Sequence, residues 1–255
     1  MPQFQDKVIL VSGVETEIGY QIALETARRG ARAIIALTGQ APVQDRLTDE
    51  IEQAGAICLY GVFDGASDEL EGALAGVGEL GCIDSLFNLA GLISYGLRRS
   101  DPDENDERAF NAAYERVVLG AHRLVGASKR LLEAAPSPAA IVNIGSLSAV
   151  TGDGASLADC AGQGALRTLT LALARTCAPR IRVNAILANI GPTGDAARPP
   201  AAGIDAKAPL KTTPREADLL EPALFLGSDA ARHMTGAVLS VDAGLHLGSI
   251  ALNER

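Results

Sequence analysis

The chain has 255 residues, 47% of them hydrophobic and 21% charged, with a formal net charge of −9. That charge argues against nucleic acid or an anionic membrane surface as a partner, since both select clustered Lys and Arg, and no charge-free apolar run approaches the roughly 20 residues of a membrane span. The start, Met1–Lys7, lacks the basic and apolar regions of a signal peptide, so the cytoplasm is the expected location.

In chain order, Lys7–Val11 is a continuous apolar run after a charged start and predicts a buried first strand. Glu17–Arg29 follows with Ile18, Ile22, Leu24 and Ala27 at helical spacing and Gly30 as a C-cap. Further strands are predicted at Ala33–Leu37, Ala56–Tyr60, Ile83–Leu89, Ala140–Ile144, Arg182–Leu187 and Ala237–Val241. Two long helices, Asn111–Ala135 and Leu157–Ala178, flank the fifth strand. The first carries Val117, Val118, Leu119, Leu124, Val125, Leu131 and Leu132, an apolar set too wide for one core stripe, which predicts a second face against a partner. The acidic run Asp101–Glu107 reads as a solvated loop or helix start. Alternating strands and helices without a linker predict a single α/β domain over residues 1–255, a doubly wound, seven-stranded parallel sheet flanked by helices.

Cys58, Cys82, Cys160 and Cys177 show no CxxC or other metal spacing, and His122, His233 and His246 are equally scattered. The cysteines read as ordinary thiols, and no metal site is expected.

From Lys7 to Gly248 the chain resembles the short-chain dehydrogenase/reductases (SDRs) of the simple, single-domain kind, a Rossmann-like family. Ser12–Gly19 (SGVETEIG) stands in for TGxxxGxG, Asp64 for the carboxylate after the third strand, and Asn88–Gly91 (NLAG) for NNAG. Ile144-Gly145-Ser146 ends the fifth strand as the family's catalytic serine segment does, and Arg182–Ala185 is RVNA. Ser228-Asp229-Ala230 and the stretch from Thr235-Gly236 to Val241–Gly244 match the C-terminal signatures.

The departures from that family pattern are as informative as the matches. The turn keeps Gly13 and Gly19 but carries Glu17 where the middle glycine belongs, with Glu15 close by. A Cβ and a carboxylate there are expected to crowd and repel a pyrophosphate, although a helix-start charge is the plainer structural reading of Glu17. At the end of the second strand, Leu37 stands where an NAD-dependent member carries an acid, and no basic residue is offered for NADP. Thirteen residues beyond Ser146, the family's tyrosine is replaced by Asp159; four further, its lysine is replaced by Gln163, immediately before Gly164-Ala165-Leu166. An aspartate has a reference pKa of about 3.9, so it holds no proton to donate at neutral pH unless strongly buried; a glutamine has no charge with which to lower a neighbour's pKa. Val117 or Val118 replaces the proton-relay asparagine, Ala188-Asn189 replaces PG, and the substrate-loop region Gly194–Ala208 has no apolar helical face. Ser146 remains, and a serine after a strand is also an ordinary turn residue.

The resemblance thus implies a catalytically degenerate chain with only vestigial catalytic positions (Ser146, Asp159, Gln163) and vestigial cofactor positions (Gly13, Glu17, Gly19, Leu37, Asp64, Asn88). It is expected to bind no cofactor itself and to support an active SDR paralogue that holds NAD(P) in a hetero-oligomeric dehydrogenase, acting on a hydroxyacyl-CoA or similar acyl substrate. The alternative is a repurposed fold in which Asp159, with Asp153, Ser146 and Cys160, performs non-redox acid–base chemistry as a lyase, isomerase or cyclase. A cofactor-free ligand sensor is a third reading.

Overall fold

The computed structural model describes residues 3–39, 44–64, 70, 74–89, 107–154, 156–189 and 207–248. Ala90, Gly91, most of the acidic run, the substrate-loop region up to residue 206 and the last seven residues lie outside the described residues.

Seven parallel strands form one sheet in the order β3-β2-β1-β4-β5-β6-β7. They are β1 (Val8–Ser12), β2 (Ala33–Thr38), β3 (Ile57–Val62), β4 (Ser85–Asn88), β5 (Ala139–Ser146), β6 (Ile181–Ala188) and β7 (Val238–Val241). The reversal of strand order between β1 and β4 opens a crevice at the carboxyl ends of the strands, where ligands bind in such sheets. The expected fold class holds.

Side-chain alternation in β1 explains why its sequence is apolar from Val8 to Val11. Ile9 and Val11 enter one core with Ile18 and Ile22 of α1 (Glu17–Arg28), Leu47 and Ile51 of α2 (Gln44–Gln53), and Leu224 of α7 (Leu220–Gly227). Val8 and Leu10 enter the opposite core with Leu124 and Leu132. Both faces are covered, so no position in the strand can be polar at low cost. β3, at the sheet edge, is only partly buried and its ends Ile57 and Val62 are exposed.

The helix expected at Asn111–Ala135 departs from the sequence reading. It starts earlier, as α3 (Glu107–Ala113), passes through a π-helical turn (Tyr114–Leu119) and continues as α4 (Gly120–Glu133). The extra residue per turn rotates the chain, so the wide apolar set serves two intrachain cores. Val117 and Val118 pack with Ala121 and Leu166, while Leu124, Val125 and Leu132 face the sheet. Within the chain, that division places Val117, Val118, Leu124, Val125 and Leu132 in two cores. Helix α6 (Leu157–Thr176) approaches the turn closely at Gly162, where a Cβ would lie 3.6 Å from the Ala113 carbonyl oxygen.

The RVNA segment acts as a structural clamp. The buried Arg182 guanidinium donates to the carbonyls of Leu226 (3.1 Å), Ser228 (3.0 Å) and Met234 (3.3 Å). Asn184 donates to the Met234 carbonyl (3.0 Å) and accepts from the Ala237 N–H (2.9 Å). Asp242 receives the N–H groups of Gly244 (2.9 Å) and His246 (2.7 Å). Satisfying buried carbonyls and amides in this way keeps β6, β7 and α7 in register. Among the described residues no helix is long and apolar enough to cross a membrane.

Candidate active site and nucleotide crevice

The short helix α5 (Ser148–Thr151) and the first two turns of α6 bring the vestigial catalytic positions together at the end of β5. Ser156 caps α6 by accepting the Asp159 N–H at 3.0 Å, which sets Asp159 on the first turn, where a carboxylate is electrostatically favoured. The Asp159 carboxylate accepts from the Ser148 hydroxyl and from Gln163 Nε2, each at 3.4 Å. Both contacts are long for hydrogen bonds.

Gln163 makes the firmer contact. Its Oε1 accepts the Ser146 N–H at 2.9 Å, and its side chain is 1% exposed. Gly145 makes room for it, since a Cβ there would stand 2.6 Å from Gln163 Oε1. The carboxamide thus bridges β5 to Asp159 with its acceptor end on the strand and its donor end on the acid. The Ser146 hydroxyl in turn accepts the Ser148 N–H at 3.2 Å, so it closes the turn after the strand.

Gly154 closes this cluster from above. A Cβ on it would lie 2.7 Å from Cys160 Sγ, 2.8 Å from Ser148 Cβ and 3.1 Å from Asp159 Oδ2. Asp159 is consequently only 4% exposed. Of the group predicted to share a pocket, Asp159 and Cys160 come together with Ser148, which the sequence reading had not singled out, while Asp153 is exposed at the rim. Burial raises the Cys160 thiol pKa, and the Asp159 and Asp153 charges add to the rise, so the group is a neutral thiol at physiological pH.

A polar ladder runs beneath the crevice. Ser12 donates to Asn88 Oδ1 (3.2 Å), Asn88 to Asn143 Oδ1 (2.9 Å), and Asn143 to Thr170 Oγ1 (3.0 Å), linking β1, β4, β5 and α6. Asn88 and Asn143 are wholly buried. Asn143 and Thr170 lay outside the sequence reading; a buried strand that interrupts its apolar run with Asn was the available signal.

At the crevice itself, Gly13 takes φ +82°, and Gly19 admits no side chain because a Cβ would fall 2.2 Å from the Gly13 carbonyl oxygen. Thr16 caps α1 through the Gly19 N–H (3.0 Å), and the buried Glu216 accepts the Ile18 N–H (2.9 Å). Glu17 is exposed at the first position of α1, the helix-start placement. Leu37 is fully buried in the sheet core with Val8 and Phe63, while its carbonyl receives the Gly13 (2.8 Å) and Val14 (3.2 Å) N–H groups. Asp64 is exposed beside Gly39.

A family model described as enoyl-(acyl carrier protein) reductase matches residues 13–246. The 3-oxoacyl-[acyl-carrier-protein] reductase of Escherichia coli (strain K12) is 30% identical over 254 residues, covering 96% of this chain and 99% of that one. The crystal structure of a short-chain type dehydrogenase/reductase from Mycobacterium marinum is similar at a TM-score of 0.83 with 26% identity, over 95% of this chain and 96% of that one. NAD+-bound xylitol dehydrogenase is similar at a TM-score of 0.83 with 27% identity, over 95% of this chain and 100% of that one. This last likeness corrects the expectation of a chain without a cofactor: a relative of the same fold over its whole length holds NAD+. The physical basis of the correction is that Glu17, expected to crowd the pyrophosphate, is directed to solvent, while both structurally required glycines are kept. The chain belongs to the short-chain dehydrogenase/reductase family.

Proposed function

We propose that this chain binds a nicotinamide dinucleotide in its own crevice, has lost the family's proton transfer, and serves as the supporting subunit of an active SDR paralogue in a hetero-oligomeric oxidoreductase. The substrate class is a hydroxyacyl-CoA or similar acyl compound, in keeping with the acyl-carrier substrate named for the Escherichia coli relative. The observation that carries the reading is the Gln163 bridge. A neutral carboxamide fixed between the Ser146 N–H and Asp159 occupies the position of the family's lysine. Neither it nor Asp159 supplies a phenol–ammonium pair for moving a proton to a carbonyl oxygen.

The crevice fits the nucleotide at its adenosine and phosphate end. Gly13 and Gly19 let the backbone come close at the N-terminus of α1, and Glu15 Oε2 is a buried acceptor without a hydrogen-bond partner among the described residues. When bound, the nucleotide supplies hydride chemistry. This chain's residues bind and orient it, and Asn88 holds the floor of the crevice through Ser12 and Asn143. At the nicotinamide end, the missing lysine removes a ribose contact, which weakens affinity without abolishing it.

Phe110, Tyr114, Val150 and Leu157 are exposed apolar side chains on α3, the π-helical turn, α5 and the start of α6. Their gathering around α6 supports assembly through that face. The test is native mass spectrometry of the untagged protein from its source, with NADH titration of the isolated chain. A mixed assembly with an intact SDR chain, together with saturable NADH binding, is the expected result. A homo-oligomer alone removes the supporting-subunit reading, and absence of nucleotide binding removes the cofactor reading.

A further inference from the structure

From the chemistry at the end of β2 we infer that Glu15 is the residue that recognises the adenosine ribose, and that it makes the crevice selective for the unphosphorylated dinucleotide, NAD(H) over NADP(H). This inference rests on the proposal that the chain binds a nicotinamide dinucleotide at all.

The turn between β1 and α1 is stitched to the end of β2 at three points. The N–H groups of Gly13 and Val14 donate to the Leu37 carbonyl at 2.8 and 3.2 Å, and the Gly39 N–H donates to Glu15 Oε1 at 3.3 Å. The third of these brings a side chain from the first turn to the strand end, twenty-four residues along the chain. Glu15 Oε1 is held there, while its Oε2 is buried and has no hydrogen-bond partner among the described residues. A carboxylate oxygen taken out of water without a donor is an acceptor in search of hydroxyls.

Its surroundings say which hydroxyls. In a doubly wound sheet the pyrophosphate lies at the first helix N-terminus and an acid at the end of the second strand receives the ribose 2′-hydroxyl. Leu37 cannot serve, because its side chain is wholly buried among Val8, Leu10, Ile35 and Phe63. Glu15 delivers a carboxylate to the same strand end from the other side. Asp64, two residues beyond β3, packs against Gly39, with its Cα 3.6 Å from where a Gly39 Cβ would stand. A 2′-hydroxyl finds an acceptor in the Glu15 carboxylate, whereas a 2′-phosphate meets a like charge there.

The test uses the full chain and probes that leave out the degenerate nicotinamide end: ADP-ribose and 2′-phospho-ADP-ribose, alongside NADH and NADPH. The chain has no tryptophan, so isothermal calorimetry or the nicotinamide's own fluorescence is the readout. We expect the unphosphorylated member of each pair to bind at least about tenfold tighter, the worth of one charge-assisted contact. Glu15→Gln brings the pair close to parity, mainly by weakening the unphosphorylated ligand, with its thermal melt confirming the fold. Equal affinities in the wild-type chain overturn the inference while leaving nucleotide binding intact. So does a preference that survives Glu15→Gln, or one erased only by Asp64→Asn. Failure of all four probes to bind overturns the inference and the cofactor reading together.

Discussion

Gln163 Oε1 lies 2.9 Å from the Ser146 N–H, so the side chain that replaces the family's lysine serves as a backbone acceptor for the end of the fifth strand. Replacing it with leucine keeps most of the volume and leaves that buried N–H and the Asp159 carboxylate short of partners. An unsatisfied buried donor costs about 1–3 kcal/mol, more beside a charge. Gln163→Leu is therefore expected to lower stability by about 2 kcal/mol in urea unfolding. Gln163→Glu keeps the acceptor but sets a second carboxylate against Asp159; it is expected to be least stable at neutral pH and to recover as the pair takes up a proton in acid. A flat pH profile would show that the two side chains do not meet.

Glu17 is exposed at the start of α1 and hydrogen-bonded neither to the cap nor to Glu216, whose carboxylate is taken by Ile18. Restoring the family residue with Glu17→Gly removes a negative charge from the phosphate end of the crevice. NADH affinity is expected to rise about twofold to fivefold, the effect of one exposed charge near a helix terminus. The helix should lose about 0.5–1 kcal/mol from the added glycine. Titration and thermal unfolding of the same preparation separate the two effects, and an unchanged affinity would place the pyrophosphate away from this turn.

The fold was legible because parallel strands buried on both faces write themselves as unbroken apolar runs. Val8–Ser12 and Ala33–Thr38 have no solvent face to encode. The C-terminal signatures were legible for a related reason: Arg182, Asn184 and Asp242 each satisfy backbone groups of neighbouring segments. The loss of the tyrosine and lysine was equally plain. What the sequence hid was direction and distance. Glu17 and Glu15 are two residues apart in the same turn, yet one points to solvent and the other reaches Gly39. Leu37 read as a lost contact, although its side chain belongs to the core. The π-helical turn could not be seen because Tyr114–Leu119 has the composition of ordinary helix, and its extra residue shows only when Val117 and Leu124 are found in different cores.

Glu216 joins the distant segment before α7 to the first turn of α1, and burial raises its carboxyl pKa, only partly offset by the Ile18 N–H. A carboxyl whose pKa is higher in the folded state binds more protons folded than unfolded across the interval between the two values. Stability therefore falls as pH rises from the ordinary carboxylate range through the raised folded value, and is level above it. Glu216→Gln retains an acceptor for Ile18 and abolishes the titration. Relative to wild type, the variant is expected to gain stability as pH is raised from the ordinary carboxylate range through the interval in which the wild-type carboxyl gives up its proton. Glu216→Ala loses the cap as well and should lie about 1 kcal/mol below Glu216→Gln at every pH. Urea unfolding of the three proteins across that range decides it: parallel curves for wild type and Glu216→Gln would mean that the group does not titrate differently on folding.

The Cys160 thiol is raised first by burial and then by the charges of Asp159 and Asp153, with the Ser148 contact opposing them. Since the thiolate is the reactive form, alkylation by iodoacetamide should be slow at neutral pH and still accelerating above the pH at which a free cysteine levels off. Asp159→Asn removes the nearest of the two charges while leaving the cap from Ser156, which is a backbone contact, in place. Its Cys160 should alkylate several-fold faster at about pH 8 than the wild-type residue, followed by peptide mass spectrometry with the buried Cys177 as an internal reference. A slower reaction in Asp159→Asn would identify the carboxylate as a base for the thiol and return the site to acid–base chemistry; a faster one assigns Asp159 the electrostatic role that its burial under Gly154 implies.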